Sequence, residues 1–147
     1  MSLFEGTYII RSALSQHKPV DLEGSNPTGR LIQYTYHGGP NQQWRISHVG
    51  NDEFSIQNVA TGTYAAAQNG NNTVIRAART NPQGDASARW KFVRANASSD
   101  TWYIRNVAYN SKTFDVTASN QADLTEILAY SYHGGVNQQF GFTRVGC

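Results

Sequence analysis

A nine-residue stretch occurs twice in this chain, and it constrains the fold more than any other feature. Tyr36-His37-Gly38-Gly39-Pro40-Asn41-Gln42-Gln43-Trp44 returns as Tyr132-His133-Gly134-Gly135-Val136-Asn137-Gln138-Gln139-Phe140. Only Pro40/Val136 and Trp44/Phe140 differ, and the second exchange keeps an aromatic ring. Seven identities in nine positions of mixed composition mark internal repetition. The copies begin 96 residues apart, twice a 48-residue period, so a third copy is expected between them. A degraded one lies around Ala88-Arg89-Trp90.

Each third of the chain then reads as four short strands. The first strands are 7–12, 53–59 and 101–107, where Ile10, Ile56 and Ile104 recur at steps of 46 and 48. Second strands follow at 19–22, 64–67 and 113–116, third strands at 31–34, 74–77 and 126–130, and fourth strands at 43–46, 89–92 and 139–142. These runs alternate bulky and polar residues and carry β-branched or aromatic side chains, which suit a half-buried pleated surface. Clusters such as Gln68-Asn69-Gly70-Asn71-Asn72 between them are turn signals. No segment holds a 3.6-residue apolar period over ten or more residues.

Three four-stranded repeats narrow the architecture. A propeller needs about 4–8 blades, and a sandwich does not require threefold repetition. The expected fold is an all-β trefoil, a single domain over 1–147 with repeats near 6–50, 51–96 and 97–147. Its closed barrel leaves no open sheet edge. Trp44, Trp90 and Phe140, spaced by 46 and 50, are the expected core aromatics of the three repeats.

Bulk properties exclude several function classes. The 12 Lys and Arg are scattered without a run, and net charge is only +2, so no phosphate-tracking stripe for nucleic acid is expected. The one cysteine, Cys147, allows no intrachain disulfide and reads as a terminal thiol, with an intermolecular disulfide as the sharper alternative. The first residues show no basic n-region or apolar h-region, and no run approaches the roughly 20 apolar residues of a membrane span. A soluble, cytoplasmic chain is the expectation.

Gln42-Gln43-Trp44 is a Gln-x-Trp motif, with Val20-Asp21-Leu22 upstream and Asn41 directly before it; Ala88-Arg89-Trp90 and Gln138-Gln139-Phe140 stand at the corresponding places. In these features the chain resembles the ricin-B-type β-trefoil lectins, most closely the small single-domain lectins of mushrooms. The resemblance implies sugar sites built from an Asp, an aromatic ring and an Asn, with the Gln of the motif nearby. Asp21, His37, Asn41 and Gln42 match in the first repeat, and Asp115, His133, Asn137 and Gln138 in the third. The second repeat has Ala66 in place of the Asp and Ser87-Ala88 in place of Asn-Gln, so two sites are expected, not three. Gly24 becomes Ala118 in the third repeat. If a glycine amide must approach the sugar closely, the third site is the weaker.

The residue types suit that chemistry. A carboxylate accepts from two neighbouring hydroxyls at once, and charge-assisted hydrogen bonds are the stronger kind. Asn adds a donor and an acceptor. A flat ring covers the apolar face of a galactose-type sugar; His37 and His133 are candidates, with Tyr36 and Tyr132 as rivals. Bland alternatives stand beside these: Asp21 or Asp115 as turn caps, the histidines as loop residues, Asn41 and Asn137 as left-handed turn residues. Gln42 and Gln138 read as supports rather than sugar contacts.

Catalysis is not expected. Glycoside hydrolysis usually uses two carboxylates about 5–9.5 Å apart. Asp21 and Glu23 are two residues apart, but Thr117 replaces Glu23 in the third repeat, and Glu23 reads as a surface residue. The four histidines are dispersed, so neither metal nor cofactor is implied. The resemblance implies a lectin for galactose- or GalNAc-type glycans, gaining by avidity between two sites or in a homodimer, with defence as a common role. Mannose- or GlcNAc-type specificity is the alternative within the class. A β-trefoil protease inhibitor or a companion subunit of a larger enzyme is the alternative outside it; the repeated Asp and Asn-Gln sets favour the lectin.

Overall fold

The computed structural model describes residues 4–70 and 72–146; Cys147 lies outside them. The described residues form β1 (Gly6–Ser12), β2 (Val20–Leu22), β3 (Leu31–Gln33), β4 (Trp44–Gly50), β5 (Glu53–Asn58), β6 (Tyr64–Ala66), β7 (Thr73–Val74), β8 (Arg76–Ala78), β9 (Trp90–Arg94), β10 (Trp102–Asn106), β11 (Lys112–Val116), β12 (Ile127–Ser131) and β13 (Phe140–Arg144). The only helical pieces among the described residues are 3-10 turns, two of them, Pro82–Gly84 and Ala86–Ala88, between β8 and β9.

Six strands close a ring. β1 pairs with β4, β4 with β5, β5 with β9, β9 with β10, β10 with β13, and β13 with β1, all antiparallel. Three hairpins cap it: β2–β3, β6–β8 and β11–β12. The fold is a β-trefoil, as the repeat predicts. One expected strand divides. Residues 74–77 break at Ile75, because Thr73–Val74 pairs with β12 while Arg76–Ala78 pairs with β6. Ile75 bridges its neighbours instead, donating to Ile127 O and accepting from Leu31 N, both at 2.9 Å. The cap hairpins thus meet around one axis.

Threefold-related residues fill the core: Ile10, Ile56 and Ile104 on the barrel, Leu31, Ile75 and Ile127 in the cap, and Trp44, Trp90 and Phe140 between, all fully buried. The indole Nε1 of Trp44 donates to Val20 O at 3.0 Å, and that of Trp90 to Ala65 O at 2.9 Å. These bonds make Val20 and Ala65 equivalent, so Asp21 corresponds to Ala66. In the third unit Phe140 has no N–H, and Phe114 stands where Val20 and Ala65 stand, filling the space the smaller ring leaves. A second cluster of Phe4, Tyr8, Ile46 and Phe54, with Phe92, Trp102 and Phe142 against it, forms the aromatic floor.

The units interlock. Val59 N donates to Gln43 O, Val107 N to Arg89 O and Ala13 N to Gln139 O, at 3.0, 3.0 and 2.9 Å. Asn58 Nδ2 adds a bond to Asn41 O and Asn106 Nδ2 one to Ser87 O. Each Gln-x-Trp-type turn is therefore fastened by the first strand of the next unit.

Candidate functional site

Asp21 sits mid-strand in β2 and is only 3% exposed, yet it lines an open pocket of about 260 Å³. Its carboxylate is held from two sides. Gln42 Nε2 donates to Oδ2 at 2.8 Å and Asn41 Nδ2 to Oδ1 at 3.2 Å. Gln42 also donates to Thr35 O and accepts through Oε1 from the amides of His37 and Gly38. The Asn-Gln pair can do this because Pro40–Gln42 forms a 3-10 turn that aims both side chains back at β2.

The third unit repeats this geometry. Asp115 is 2% exposed; Gln138 Nε2 donates to its Oδ2 at 2.9 Å and Asn137 Nδ2 to its Oδ1 at 3.1 Å. Gln138 Oε1 accepts from the His133 and Gly134 amides, and its Nε2 also reaches Ser131 O. Burial pushes both carboxyls above the usual aspartate value; the Gln hydrogen bond and the nearby histidine offset part of that rise.

His37 and His133 face these carboxylates edge-on, not as plates. Gly39 N donates to His37 Nδ1 and Gly135 N to His133 Nδ1, each at 3.0 Å. Nδ1 therefore carries no proton, and Nε2 is the protonated nitrogen. His37 Nε2 lies 3.6 Å from Asp21 Oδ2 and His133 Nε2 3.4 Å from Asp115 Oδ2.

The rival rings of the sequence reading are elsewhere. Tyr36 lies under the Arg11 guanidinium, 4.7 Å from ring centroid to Cζ, and Tyr132 packs edge-on against Tyr103 at 4.9 Å. The ring that lines the first pocket beside His37 is Tyr34, whose counterpart Tyr130 lies 5.9 Å from the His133 ring. Two further lining residues escaped the sequence reading. Ile32 is one; Leu124 of the third unit, 51% exposed, is the other. The loop bearing Leu124 is clamped to the first unit: Gln33 Nε2 donates to Asn120 O and Ala122 O, and Thr35 N and Lys18 Nζ both bind Asp123.

Gly24 also lines the first pocket, with φ 63° in the left-handed region. Ala118 takes the same conformation at φ 52°, so the loop path survives the exchange at the cost of strain. A Cβ at Gly24 would meet no protein atom within 4 Å.

Glu23 is more than a free surface residue. Arg30 grips it through two bonds of 2.6 and 2.9 Å while a third Arg30 nitrogen holds Glu126 at 2.6 Å, and Arg30 keeps its carboxyl below the ordinary value. In the second unit Ala66 offers no carboxylate; Asp85 is spent on Thr80 and Ser87. Among the described residues no three His, Cys, Asp or Glu side chains gather into a metal-holding group.

The family described as "Ricin-type beta-trefoil lectin domain-like" matches residues 2–74 and 40–130. The chain belongs to that family. No curated protein sequence matches it. Among solved structures it is similar to the agglutinin of Rhizoctonia solani, at 27% identity and TM-score 0.83 over 98% of both chains. The Macrolepiota procera ricin B-like lectin, solved in complex with lactose, is 21% identical with TM-score 0.79, covering 98% of this chain and 99% of that one. A designed threefold-symmetric protein, ThreeFoil, has TM-score 0.87 at 24% identity over 96% of this chain and 100% of its own. Two of the three units of this chain hold the same Asp-Asn-Gln constellation.

Proposed function

We propose that this chain is a non-catalytic lectin that takes galactose- or GalNAc-type ends of glycans in its first and third units. One observation carries the proposal: Ala66. The second unit folds with alanine where the others bury an aspartate, so the fold does not need a carboxylate there. Burying Asp21 and Asp115 is costly, both are held with matching bonds, and Asp21 lines an open pocket. That arrangement suits a ligand offering neighbouring hydroxyls.

In this reading each carboxylate accepts from two adjacent sugar hydroxyls, Asn41 or Asn137 supplies a further polar contact, and His Nε2–H donates at the site's edge. Tyr34 and Tyr130 cover the apolar C–H face of the ring. Gln42 and Gln138 orient the set. The lactose in the Macrolepiota procera complex ends in a galactose, and that supports the sugar class. Glu23 is a poor general acid, since Arg30 holds it ionised, and hydrolysis needs a carboxyl kept protonated.

The test is calorimetric titration with lactose, GalNAc, mannose and GlcNAc on the wild type, Asp21→Ala, Asp115→Ala and the double variant. Lactose or GalNAc binding that halves in stoichiometry in each single variant and vanishes in the double supports the proposal. Retained binding in the folded double variant would overturn the site assignment, and preference for mannose would overturn the sugar class.

A further inference from the structure

Beside the third-unit site lies a second pocket, of about 460 Å³, lined by Arg105, Asn110, Ser111, Ser131 and Tyr132. No lining residue is acidic. Ser131 and Tyr132 directly precede His133, so this pocket and the sugar site share one stretch of chain. Lys112 adds a nearby cation, its Nζ donating to Ser131 Oγ at 3.2 Å.

Arg105 is the residue that sets the pocket's chemistry. Its buried Nε has no hydrogen-bond acceptor among the described residues, and the guanidinium Cζ lies 5.6 Å from the Tyr132 ring centroid. The equivalent Arg11 of the first unit is better satisfied: it lies 4.7 Å over Tyr36 and Nη1 donates to His17 O at 3.3 Å. Ser111 stands where His17 stands in the first unit, and its carbonyl is taken by Tyr132 N. Tyr132 has also turned toward Tyr103, whose hydroxyl bonds Gly134 O. The same framework therefore closes in the first unit and opens around an under-satisfied guanidinium in the third.

We propose that this pocket is an oxyanion site, placed to receive a carboxylate or sulfate carried by a glycan whose sugar ring occupies the third-unit site. The second half of that statement rests on the lectin reading; the first half does not. A guanidinium is a planar fork that matches both oxyanions, and the Ser111 and Ser131 hydroxyls and Asn110 amide supply neutral donors.

The experiment titrates wild type, Arg105→Gln and Asn110→Asp with inorganic sulfate, lactose, sulfated lactose and sialylated lactose, following Arg105 and His133 resonances by NMR. Asn110→Asp leaves Arg105 in place and sets a negative charge at the rim, so the test does not hang on one variant folding. Sulfate should shift the Arg105 side-chain signal. At least one anionic lactoside should bind about tenfold tighter than lactose, near the factor one charge-assisted hydrogen bond supplies. That gain should shrink with salt and disappear in both variants while lactose binding persists. A gain for the sulfated sugar alone assigns the site to sulfate esters; a gain for the sialylated one alone assigns it to carboxylates. Equal affinity for neutral and anionic lactosides, with Arg105 unmoved by sulfate, overturns the pocket and leaves the lectin reading standing. Sulfate binding without any lactose binding keeps the pocket and sinks the lectin reading.

Discussion

Gln42 ties the Asp21 carboxylate to the loop that carries the imidazole: Nε2 donates to Asp21 Oδ2 at 2.8 Å while Oε1 accepts the His37 and Gly38 amides. Gln42→Ala takes this partner from all three groups and from Thr35 O. We expect a stability loss of about 3 kcal/mol by urea unfolding, and first-site affinity down by about tenfold or more. Gln138→Ala should do the same to the third site. A variant that binds as tightly as wild type would show that the Gln shapes nothing the sugar uses.

Acidification should disarm the sites before it unfolds the protein. Asp21 and Asp115 titrate above the ordinary 3.8, and in the proposed lectin the carboxylate is the binding form, so affinity should fall as pH drops through those raised values. Their effect on stability has the opposite sign, because the folded state takes up these protons more readily than the unfolded one. Glu23, Asp85 and Asp123 are lowered, by Arg30, by Ser87 with Thr80, and by Lys18 with Thr35. Their stabilisation is complete above the ordinary carboxylate range and is lost only as pH falls through the lowered values. Lactose titrations beside circular dichroism should show binding fading at a higher pH than the fold. Coincident loss would refute the separation.

The core aromatics are not interchangeable. Trp44→Phe removes the donor to the buried Val20 O and leaves a cavity, for an expected loss of about 2–4 kcal/mol. Phe140→Trp overpacks against Phe114 and should cost about 1–3 kcal/mol. Adding Phe114→Val should recover much of that second loss. Additive losses in a double-mutant cycle would argue against the volume exchange.

Restoring the second site takes more than its carboxylate. Ala66→Asp alone buries a charge with neither Asn nor Gln to meet it, and should cost about 3–5 kcal/mol in thermal unfolding. Adding Ser87→Asn and Ala88→Gln should return a good part of that stability. A third equivalent of lactose in calorimetry would then mark a rebuilt site.

Ala118→Gly relieves a left-handed alanine and removes the methyl that Gly24 lacks in the first unit. It should leave stability unchanged or raise it by up to about 1 kcal/mol, and tighten binding at the third site alone. Unchanged third-site affinity would mean that the sugar does not approach this backbone.

The repeat carried most of this structure into the sequence. Strand positions follow from Ile10, Ile56 and Ile104, and the site carboxylates from the shared position of Asp21 and Asp115. Tyr34 was within reach, because the repetition continues upstream: Tyr34-Thr35-Tyr36 corresponds to Tyr130-Ser131-Tyr132. Alternation obscures the choice, since it places Tyr34 and Tyr36 on one face only while a strand persists, and β3 ends at Gln33. Leu124 was beyond reach. It arrives from another unit, on a loop positioned by Gln33 and Lys18, and no local pattern encodes that approach. The opening around Arg105 was equally hidden, because Arg11 and Arg105 look alike until their neighbours are placed.

The fastening of each turn by the following unit has a consequence for the protein's parts. An isolated unit is not a smaller edition of the whole, because the strand that secures its turn is on another unit. Three separate copies would have to assemble before any of them carried a finished site, and the number of working sites would then depend on concentration. Joining the units in one chain replaces that assembly with an intramolecular event, so site formation no longer depends on how dilute the protein is.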